Sequence, residues 1–490
     1  MVINNLRTYI SLFTKTKHFP FSSNLPRLSQ NVCPLTTITS NEQTMLAFLN
    51  KCQTMKQIKQ VHGRVIKMGA TQSLYVIGKI IYFCVSQKGH MDYAKSVFEE
   101  VEFPDGFLLN TMIRGFVWKG NVEKAFEYFK KMRENGEGVN NFALSFLLKL
   151  CGQFGTLVLG NQLHSIVIKC NYENHSFVRN SLVHMYGMLK DIGLAYQVFD
   201  VITVLDIVNW NTIIHCYVHC GRFRGALTLF DKMQECGVGF DDATLVVVLS
   251  ACSGSGALEF GKRVHSLTEN TRFFSKTSVS NAFIDMYAKC GVVIEGFKIF
   301  NEMKQRDIVT WNTMISAFAM NGYAFRALEL FSRMLDEKGV HPDGVTFLGV
   351  LCACGHGGMV EDGRRYFQSM INKYYIEPTI KHYGCMVDML GRAGFVAEAY
   401  ELIISMPMEC NAIVYRTLLA ACRMHGEVEL GEKVRDHLLG VEPEHSSDYV
   451  LLANIYASAD QWKEMAKERK SMSDRRVQKP MPGNSNFSRS

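Results

Sequence analysis

The sequence predicts an all-α protein in which helical hairpins stack side by side into a solenoid. Two observations support this fold class. Corresponding residues recur at an offset of 101 positions, so that Asn110 corresponds to Asn211 and then to Asn312. Within each such unit, apolar residues follow helical spacing and glycines separate successive helices. One hairpin cannot bury its apolar face alone, and stacking of neighbours completes a continuous core.

Each 101-residue unit divides into hairpins of 35, 35 and 31 residues. Segment 207–241 illustrates one of them. Its two apolar stripes comprise Trp210, Ile213, Ile214 and Tyr217, then Ala226, Leu229, Phe230 and Met233. Gly221 lies between the stripes and predicts the break between two helices. The small alanine at the start of the second helix allows the helices to approach closely.

Composition excludes several classes of protein. Of 490 residues, 47% are hydrophobic and only 10 are prolines, which excludes a disordered or collagen-like chain. The formal charge is +7, of which +4 lies in the acid-free segment 1–41. The rest is nearly neutral, so nucleic-acid binding has to depend on individually placed side chains. No apolar run reaches the roughly 20 residues of a membrane span, and we expect no membrane association.

The cysteines and the terminal segments have separate interpretations. The 15 cysteines are an odd number and mostly lie in apolar helical patterns, which predicts buried thiols. Cys216 and Cys220 have the spacing of metal ligands but no partner pair, and we interpret them as core residues. Segment 1–41 has the composition of an organellar transit peptide, with a disordered N-terminus as the alternative. Its amphipathic start favours the mitochondrion over the chloroplast. Segment 480–490 is predicted to be a tail.

Three strings carry a family resemblance: WNTIIHCYVHCGRFRGALTLFDKM, SNAFIDMYAKCG and WNTMISAFAMNGYAFRALELF. They resemble the plant pentatricopeptide repeat family, and the alternation of lengths resembles its P-L-S subclass. The resemblance implies a right-handed superhelix with about eleven motifs over 42–411, including triplets that begin at Gly106, Ile207 and Ile308. The tetratricopeptide signature, the structural alternative, is not found. Segment 412–479 resembles the two E extension motifs of organellar RNA-editing factors, and the DYW deaminase domain is missing.

The resemblance implies that the fifth and last residues of each motif jointly select one RNA base. A side-chain amide suits this task because it offers one acceptor and two donors to a pyrimidine edge. The predicted pairs are Asn110 with Asn140 for cytosine or uracil, and Asn180 with Asp206, Asn211 with Asp241, Asn281 with Asp307 and Asn312 with Asp343 for uracil. The long-motif pairs are Ser145 with His175, Val246 with Lys276, and Leu348 with Thr379, and they fit no strong rule. The alternative is that these polar residues merely cap helices.

The predicted ligand is a single-stranded organellar RNA of the series 5′-C/U-N-U-U-N-U-U-3′. The second residue of each motif is expected to sandwich the bases. Phe107, Phe177, Val208 and Val309 have the required apolar character. Ser278 departs from it, and we expect weak stacking there.

The terminal motifs predict a site-recognition factor for C-to-U editing of organellar transcripts. It would recruit a deaminase in trans through 412–479, from a deaminase-bearing pentatricopeptide repeat protein, a multiple organellar editing factor, or both. The alternatives are an RNA stabilisation, splicing or translation factor and a tetratricopeptide-like protein scaffold. His425 and Glu427 mimic the His-x-Glu of zinc deaminases, but no Pro-Cys-x-x-Cys follows. We therefore predict no catalytic residues, no metal and no cofactor, and expect that the protein is not an enzyme.

Overall fold

The predicted all-α fold of stacked helical hairpins is confirmed. The computed structural model describes residues 40–86, 90–202, 204–268, 271–337, 339–475 and 477, and this part of the chain contains 26 α-helices and no β-strand. All but the last two residues of the predicted transit peptide lie outside the described residues, as does the whole predicted tail. The chain divides into two compact units, with the boundary between Phe240 and Asp241.

The first unit contains six hairpins, each formed by an odd-numbered helix and the even-numbered helix after it. The helices are α1 Ser40–Lys51, α2 Met55–Lys67, α3 Leu74–Ser86, α4 Met91–Glu99, α5 Gly106–Trp118, α6 Val122–Glu134, α7 Asn141–Gln153, α8 Leu157–Lys169, α9 Ser176–Met188, α10 Ile192–Asp200, α11 Ile207–His219 and α12 Phe223–Glu235. The first helices of consecutive hairpins pack against each other in chain order, so they form one continuous layer.

The second unit continues with seven hairpins of the same construction. The helices are α13 Asp242–Ser255, α14 Leu258–Thr268, α15 Thr277–Lys289, α16 Val293–Glu302, α17 Ile308–Met320, α18 Ala324–Asp336, α19 Gly344–Gly357, α20 Val360–Asn372, α21 Ile380–Arg392, α22 Val396–Ile404, α23 Ala412–His425, α24 Val428–Val441, α25 Ser446–Ser458 and α26 Trp462–Asp474. A short 3₁₀ helix, Arg272–Ser275, precedes α15. The odd-numbered helices again form a layer, and one core runs from Val387 to Tyr456.

The hairpin of α11 and α12 shows why these residues fold as they do. Asp206 caps α11 by accepting a hydrogen bond from the Asn209 amide at 2.9 Å. Gly221 has φ +70°, a left-handed conformation that ends the helix without steric cost. Trp210 is buried and packs edge-on against Phe199 of the preceding hairpin, with ring centroids 5.2 Å apart. Stacking of hairpins therefore buries apolar side chains, such as that of Trp210, that a single hairpin would leave exposed.

Of the 14 cysteines in the described residues, six are buried, six are half-buried, and Cys170 and Cys236 are exposed. Cys216 is fully buried, and burial raises the pKa of its thiol to about 12. The sulfurs of Cys216 and Cys220 donate to backbone carbonyls at 3.6 and 3.4 Å. Within the described ranges, no cluster of three or more His, Cys, Asp or Glu side chains is arranged to hold a metal. None of the helices described combines the length and apolar character of a membrane span.

Candidate nucleic-acid interface

The residues of the predicted interface occupy three places in a motif: the second and fifth residues lie on the first helix, and the last residue stands directly before the next hairpin. The fifth residue of a motif lies on the first helix, and the second residue lies three positions before it on the same helical face. Phe107, Phe177, Val208 and Val309, the predicted sandwiching residues, are between 41% and 56% exposed. These apolar side chains are therefore available to a ligand rather than used in the core. Ser278, at the same place in its motif, is also exposed.

A cleft in the first unit has the layout expected of a base-binding site. It has a volume of about 400 Å³ and lies between Phe177 on α9 and Val208 on α11. Asn180 lines the cleft between these two apolar side chains. One asparagine amide thus lies between two surfaces on which a flat ring can stack.

A second cleft, in the second unit, repeats this layout. Its volume is about 390 Å³, and Val309 on α17 and Val345 on α19 both line it. Asn312 and Asp343 contribute the polar part of the lining. Val345 is the second residue of the following long motif and is 55% exposed. Val345 was not among the predicted sandwiching residues, although it is the second residue of its motif, as they are of theirs.

The hydrogen bonds around Asn312 fix the orientation of its amide. The Nδ2 atom donates to Asp343 Oδ1 at 3.0 Å, and the Thr346 hydroxyl donates to Asn312 Oδ1 at 2.6 Å. A carboxylate only accepts hydrogen bonds, so Asp343 determines which end of the amide faces it. Among the described residues, one N–H and one lone pair of Asn312 have no hydrogen-bond partner. Uracil presents an N3–H donor beside a carbonyl acceptor, which matches this remaining pair.

Asn180 is connected to Asp206 through a third residue. Its Oδ1 accepts from Asn209 Nδ2 at 2.6 Å, and Asn209 Oδ1 accepts from the Asp206 backbone N–H at 2.8 Å. The aspartate carboxylate in turn accepts from the Asn209 backbone N–H at 2.9 Å. The pair is therefore coupled indirectly, and within the described ranges both N–H groups of Asn180 are left for other partners.

Two further pairs show no direct hydrogen bond between their members within the described residues. The Oδ1 atoms of Asn110 and Asn281 are buried and have no hydrogen-bond partner in that part of the chain. Asn140 caps α7 by accepting from the Ala143 N–H at 2.9 Å, and Asp307 caps α17 in the same way. A buried amide oxygen without a partner is costly unless a ligand or water satisfies it.

The remaining predicted pair is Asn211 with Asp241. Asn211 lies on α11 in the first unit, and Asp241 caps α13 in the second unit.

The capping interpretation and the base-selecting interpretation are not exclusive. Asp206, Asp241, Asp307 and Asp343 each accept a hydrogen bond from the third backbone N–H of the helix that follows. In Asp343, the same Oδ1 that accepts from Asn312 also accepts from the Thr346 N–H at 2.9 Å. Helix capping therefore fixes the position of the carboxylate that orients the asparagine.

The long motifs place different groups at the fifth position. Ser145 is fully buried, and its hydroxyl has no partner in the described structure. Val246 and Leu348 are half-buried apolar residues. The last residue of one long motif, Lys276, forms an ion pair with Asp242 at 2.8 Å. These motifs therefore lack a polar group placed as Asn180 and Asn312 are.

The third residue of four motifs is a buried polar side chain that the sequence analysis did not consider. Asn209, Thr244, Thr310 and Thr346 hold this place, and all four are buried. Each follows a capping aspartate by three residues, a spacing that a capping box alone would explain. The recurrence of a polar residue at this position was the sequence signal that it does more than cap a helix. In Thr346 the additional role is the hydrogen bond to Asn312.

Comparison with known proteins places these features in a family. A profile described as "PPR repeat family" matches residues 205–254 and 306–356. One described as "PPR repeat" matches 107–137, 278–308, 345–375 and 381–410, and one described as "E motif" matches 425–487.

Similar full-length proteins come from Arabidopsis thaliana. A pentatricopeptide repeat-containing protein named as chloroplastic/mitochondrial is 35% identical over 477 residues, which cover 94% of this chain and 74% of the relative. Another is 34% identical over 482 residues, 91% of this chain and 89% of the relative. The crystal structure of the pentatricopeptide repeat protein PPR10 from maize aligns with a TM-score of 0.58 at 17% identity, covering 89% and 74% of the two chains.

Proposed function

Because this chain belongs to the pentatricopeptide repeat family, we propose that it is a sequence-specific single-stranded RNA-binding protein that acts as a site-recognition factor for C-to-U editing of organellar transcripts. The observation that carries the RNA-binding part is the oriented amide of Asn312 between Val309 and Val345. An amide with one donor and one acceptor left is suited to select a base that stacks between two apolar side chains.

The editing part of the proposal is supported by the C-terminal hairpins. The profile of the E motif matches residues 425–487, directly after the repeat array. The hairpins of α23 to α26 share their core with α21 and α22. They would hold a deaminase supplied in trans, by a deaminase-bearing pentatricopeptide repeat protein or a multiple organellar editing factor, close to the 3′ end of the bound RNA.

The proposed location is an organelle. An Arabidopsis relative is named as chloroplastic/mitochondrial, and segment 1–41 has the composition of a transit peptide. The mitochondrion is favoured by the amphipathic start of that segment. A fusion of residues 1–41 to a fluorescent protein, imaged in plant cells, tests this assignment.

The editing function is tested by comparing organellar transcripts from plants with and without the protein. We expect one or a few cytidines, each downstream of the predicted pyrimidine series, to remain unconverted in its absence. Changed transcript ends, unspliced introns or lost translation with intact editing would instead favour the stabilisation, splicing or translation alternative. An unchanged set of transcripts with lost protein complexes would favour the scaffold.

Base selection is tested at a single motif with Asn211→Thr. We expect preference at the corresponding RNA position to shift from uracil towards a purine, while preference at the other positions stays the same. Binding of a set of RNAs that differ only at that position, followed by fluorescence anisotropy, measures the shift. Loss of preference at every position would mean that the substitution perturbs folding. Asn301→Thr makes the same change at an exposed position of α16 outside the base-selecting positions, and it is expected to leave base preference unchanged.

A further inference from the structure

A row of basic side chains runs along the first unit beside the candidate base-binding positions. It consists of Arg114, Lys149, His184 and His215, and we call it the cationic row. They lie on α5, α7, α9 and α11, the first helices of four consecutive hairpins, at the ninth position of each motif. The second, fifth and ninth positions share one helical face, and these four helices pack in order. The row therefore follows the line of the base-selecting residues.

Lys149 and Arg114 have no carboxylate partner in the described part of the chain. Lys149 is exposed and lines the same cleft as Asn180 and His184. Its Nζ atom lies 5.4 Å from the centre of the Phe177 ring. A cation that stands beside a base-stacking side chain, with no internal anion to neutralise it, is placed to bind the phosphate of a stacked nucleotide.

The guanidinium of Arg114 is held between two aromatic rings. It lies 4.7 Å from the Tyr82 ring centre and 5.0 Å from that of Trp118. Its Nε and Nη2 atoms are buried and have no hydrogen-bond partner among the described residues. The aromatic contacts fix the plane of the group, and the unused N–H donors can bind an anion with little loss of conformational entropy.

The histidines continue the row as titratable cations. The rings of His184 and His215 lie parallel, at an interplanar angle of 8° and a centroid distance of 6.4 Å. Burial is the largest cause that lowers the pKa of each, and for His184 the positive charges of His215, Lys149 and His219 lower it further. No carboxylate contributes to either pKa. His184 Nδ1 is buried without a partner in the described structure.

In the second unit, Lys289 lines the cleft of Asn312 and Arg392 lines a further cleft between α21 and α23, and each of these cations pairs with a carboxylate. Lys289 pairs with Asp285 at 2.9 Å, and Arg392 pairs with Asp388 at 2.9 Å. Both aspartates hold the ninth position, the place of the basic residues in the first unit. A carboxylate at that place repels a phosphate and competes for the adjacent cation.

We propose that the cationic row of the first unit is the principal binding site for the RNA sugar-phosphate backbone, while the second unit contributes chiefly base contacts. This inference rests on the proposed RNA-binding function. The ligand group is the phosphodiester of a single strand that lies along α5, α7, α9 and α11. The electrostatic part of the binding free energy then resides in the first unit, although the net charge of the chain is small.

The salt dependence of binding tests this proposal on the full chain with an RNA of the predicted series. Each phosphate contact contributes about 0.7 to the slope of log K against log salt concentration for a single strand. The double variant Arg114→Gln/Lys149→Gln is expected to lower that slope by about 1.4, twice this contribution. Arg114→Lys is expected to keep most of the slope of the wild-type protein.

Two controls separate this effect from a general change of charge. Lys169→Gln removes one exposed charge from α8 in the same unit, outside the cationic row, and should leave the slope unchanged. Glu295→Gln/Lys298→Gln removes an exposed ion pair from α16 of the second unit and should also leave it unchanged. A slope that falls as much in either control as in the Arg114→Gln/Lys149→Gln variant would overturn the proposal.

The pH dependence provides a second readout. Because their pKa values are lowered from 6.5, both histidines are neutral at pH 7. A bound phosphate favours the protonated form, so affinity should rise as the pH falls below about 6.5. His184→Gln/His215→Gln should flatten this rise. A wild-type affinity that does not change over this range would overturn the role assigned to the histidines.

The two proposals fail in distinguishable ways. If the wild-type protein binds the predicted RNA and a scrambled RNA equally, the base-selecting function fails, whatever the salt slope. If the wild-type protein prefers the predicted RNA but the Arg114→Gln/Lys149→Gln variant keeps the full salt slope, the cationic row alone is refuted. Selective binding together with a reduced slope supports both.

Discussion

At the scale of single residues, selectivity depends on how an amide is held. Asn312 is oriented by Asp343 and Thr346, and Asn180 by Asn209 alone. The sequence predicted the asparagine–aspartate pairs because they recur at one place in successive motifs. It did not predict the third partner, because a threonine after a capping aspartate is already explained by the helix start. Only the distances show that this hydroxyl also reaches the asparagine.

Thr346→Val tests the role of the third partner. The substitution keeps the volume but removes the hydroxyl that donates to Asn312, so the amide is less firmly oriented. Preference for uracil over the other bases at that position should fall several-fold. The free energy of unfolding should fall by about 1–2 kcal/mol, because Asn312 Oδ1 and the Asp343 N–H lose a buried partner. RNA-binding titrations and urea denaturation measure the two effects.

Thr310→Val is the matched control for this experiment. Thr310 holds the same third position in the motif before that of Thr346, and its hydroxyl donates to Asp307 at 2.8 Å. The same chemical change there should leave base preference at the Asn312 position unaltered. If both variants relax preference equally at that position, the hydroxyl of Thr346 has no specific role in orienting Asn312.

At the scale of helices and hairpins, stacking depends on close approach between first helices. The motif starts taken from the repeat, Gly106, Ile207 and Ile308, coincide with the first residues of α5, α11 and α17. The sequence did not predict which residues approach most closely, because that depends on the rotation of each helix about its axis. Gly187 on α9 is such a place, where an added Cβ would lie 2.1 Å from Cys216 Sγ.

Gly187→Ala is expected to destabilise the first unit. The added methyl would overlap Cys216, and relief requires displacement of α11 relative to α9, at a cost of about 1–3 kcal/mol. Gly63→Ala on α2 is the matched control, since no atom lies within 4 Å of its added Cβ. Because alanine favours helix over glycine, the control should be neutral or stabilising by up to about 1 kcal/mol. Thermal unfolding compares the two, and equal stability of both variants would contradict the packing account.

The last two hairpins contain an ion pair between a buried arginine and a half-buried glutamate that their sequence did not reveal. Arg435 on α24 is 3% exposed, pairs with Glu468 on α26 at 3.1 Å and lies over the Tyr449 ring at 4.0 Å. Both partners sit in polar helical stretches in which an exposed pair is the ordinary expectation. Only the fold shows that Arg435 is buried, and this burial makes the pair important for stability.

Glu468→Ala should destabilise the C-terminal hairpins by about 3 kcal/mol, because it leaves a buried guanidinium unpaired. Glu464→Ala on the same helix breaks an exposed pair with Lys467 and should cost less than about 1 kcal/mol. Hydrogen exchange of residues 446–474 measures both variants. Equal protection in the two would show that the Arg435 pair contributes no more than a surface pair.

At the scale of the whole molecule, the distribution of charge matters more than its total. The sequence showed a nearly neutral body and predicted that binding rests on individual side chains. It did not show which cations are paired with carboxylates. The spacing of Asp285 and Lys289 allows an ion pair on one helix, but only the positions of the side chains show that the pair forms. The two units use similar basic residues, and only in the second are those at the clefts paired with carboxylates.

The central claim is that regularly spaced asparagines, of which Asn180 and Asn312 are oriented by the neighbouring motif, select the bases of a single strand. Its most direct test is the affinity of the full chain for an RNA of the series C-N-U-U-N-U-U and for the same RNA with its four uracils replaced by adenines. Each mismatched base costs about 1–3 kcal/mol, so we predict that binding weakens by at least about 100-fold. Equal affinity for the two RNAs would contradict the account.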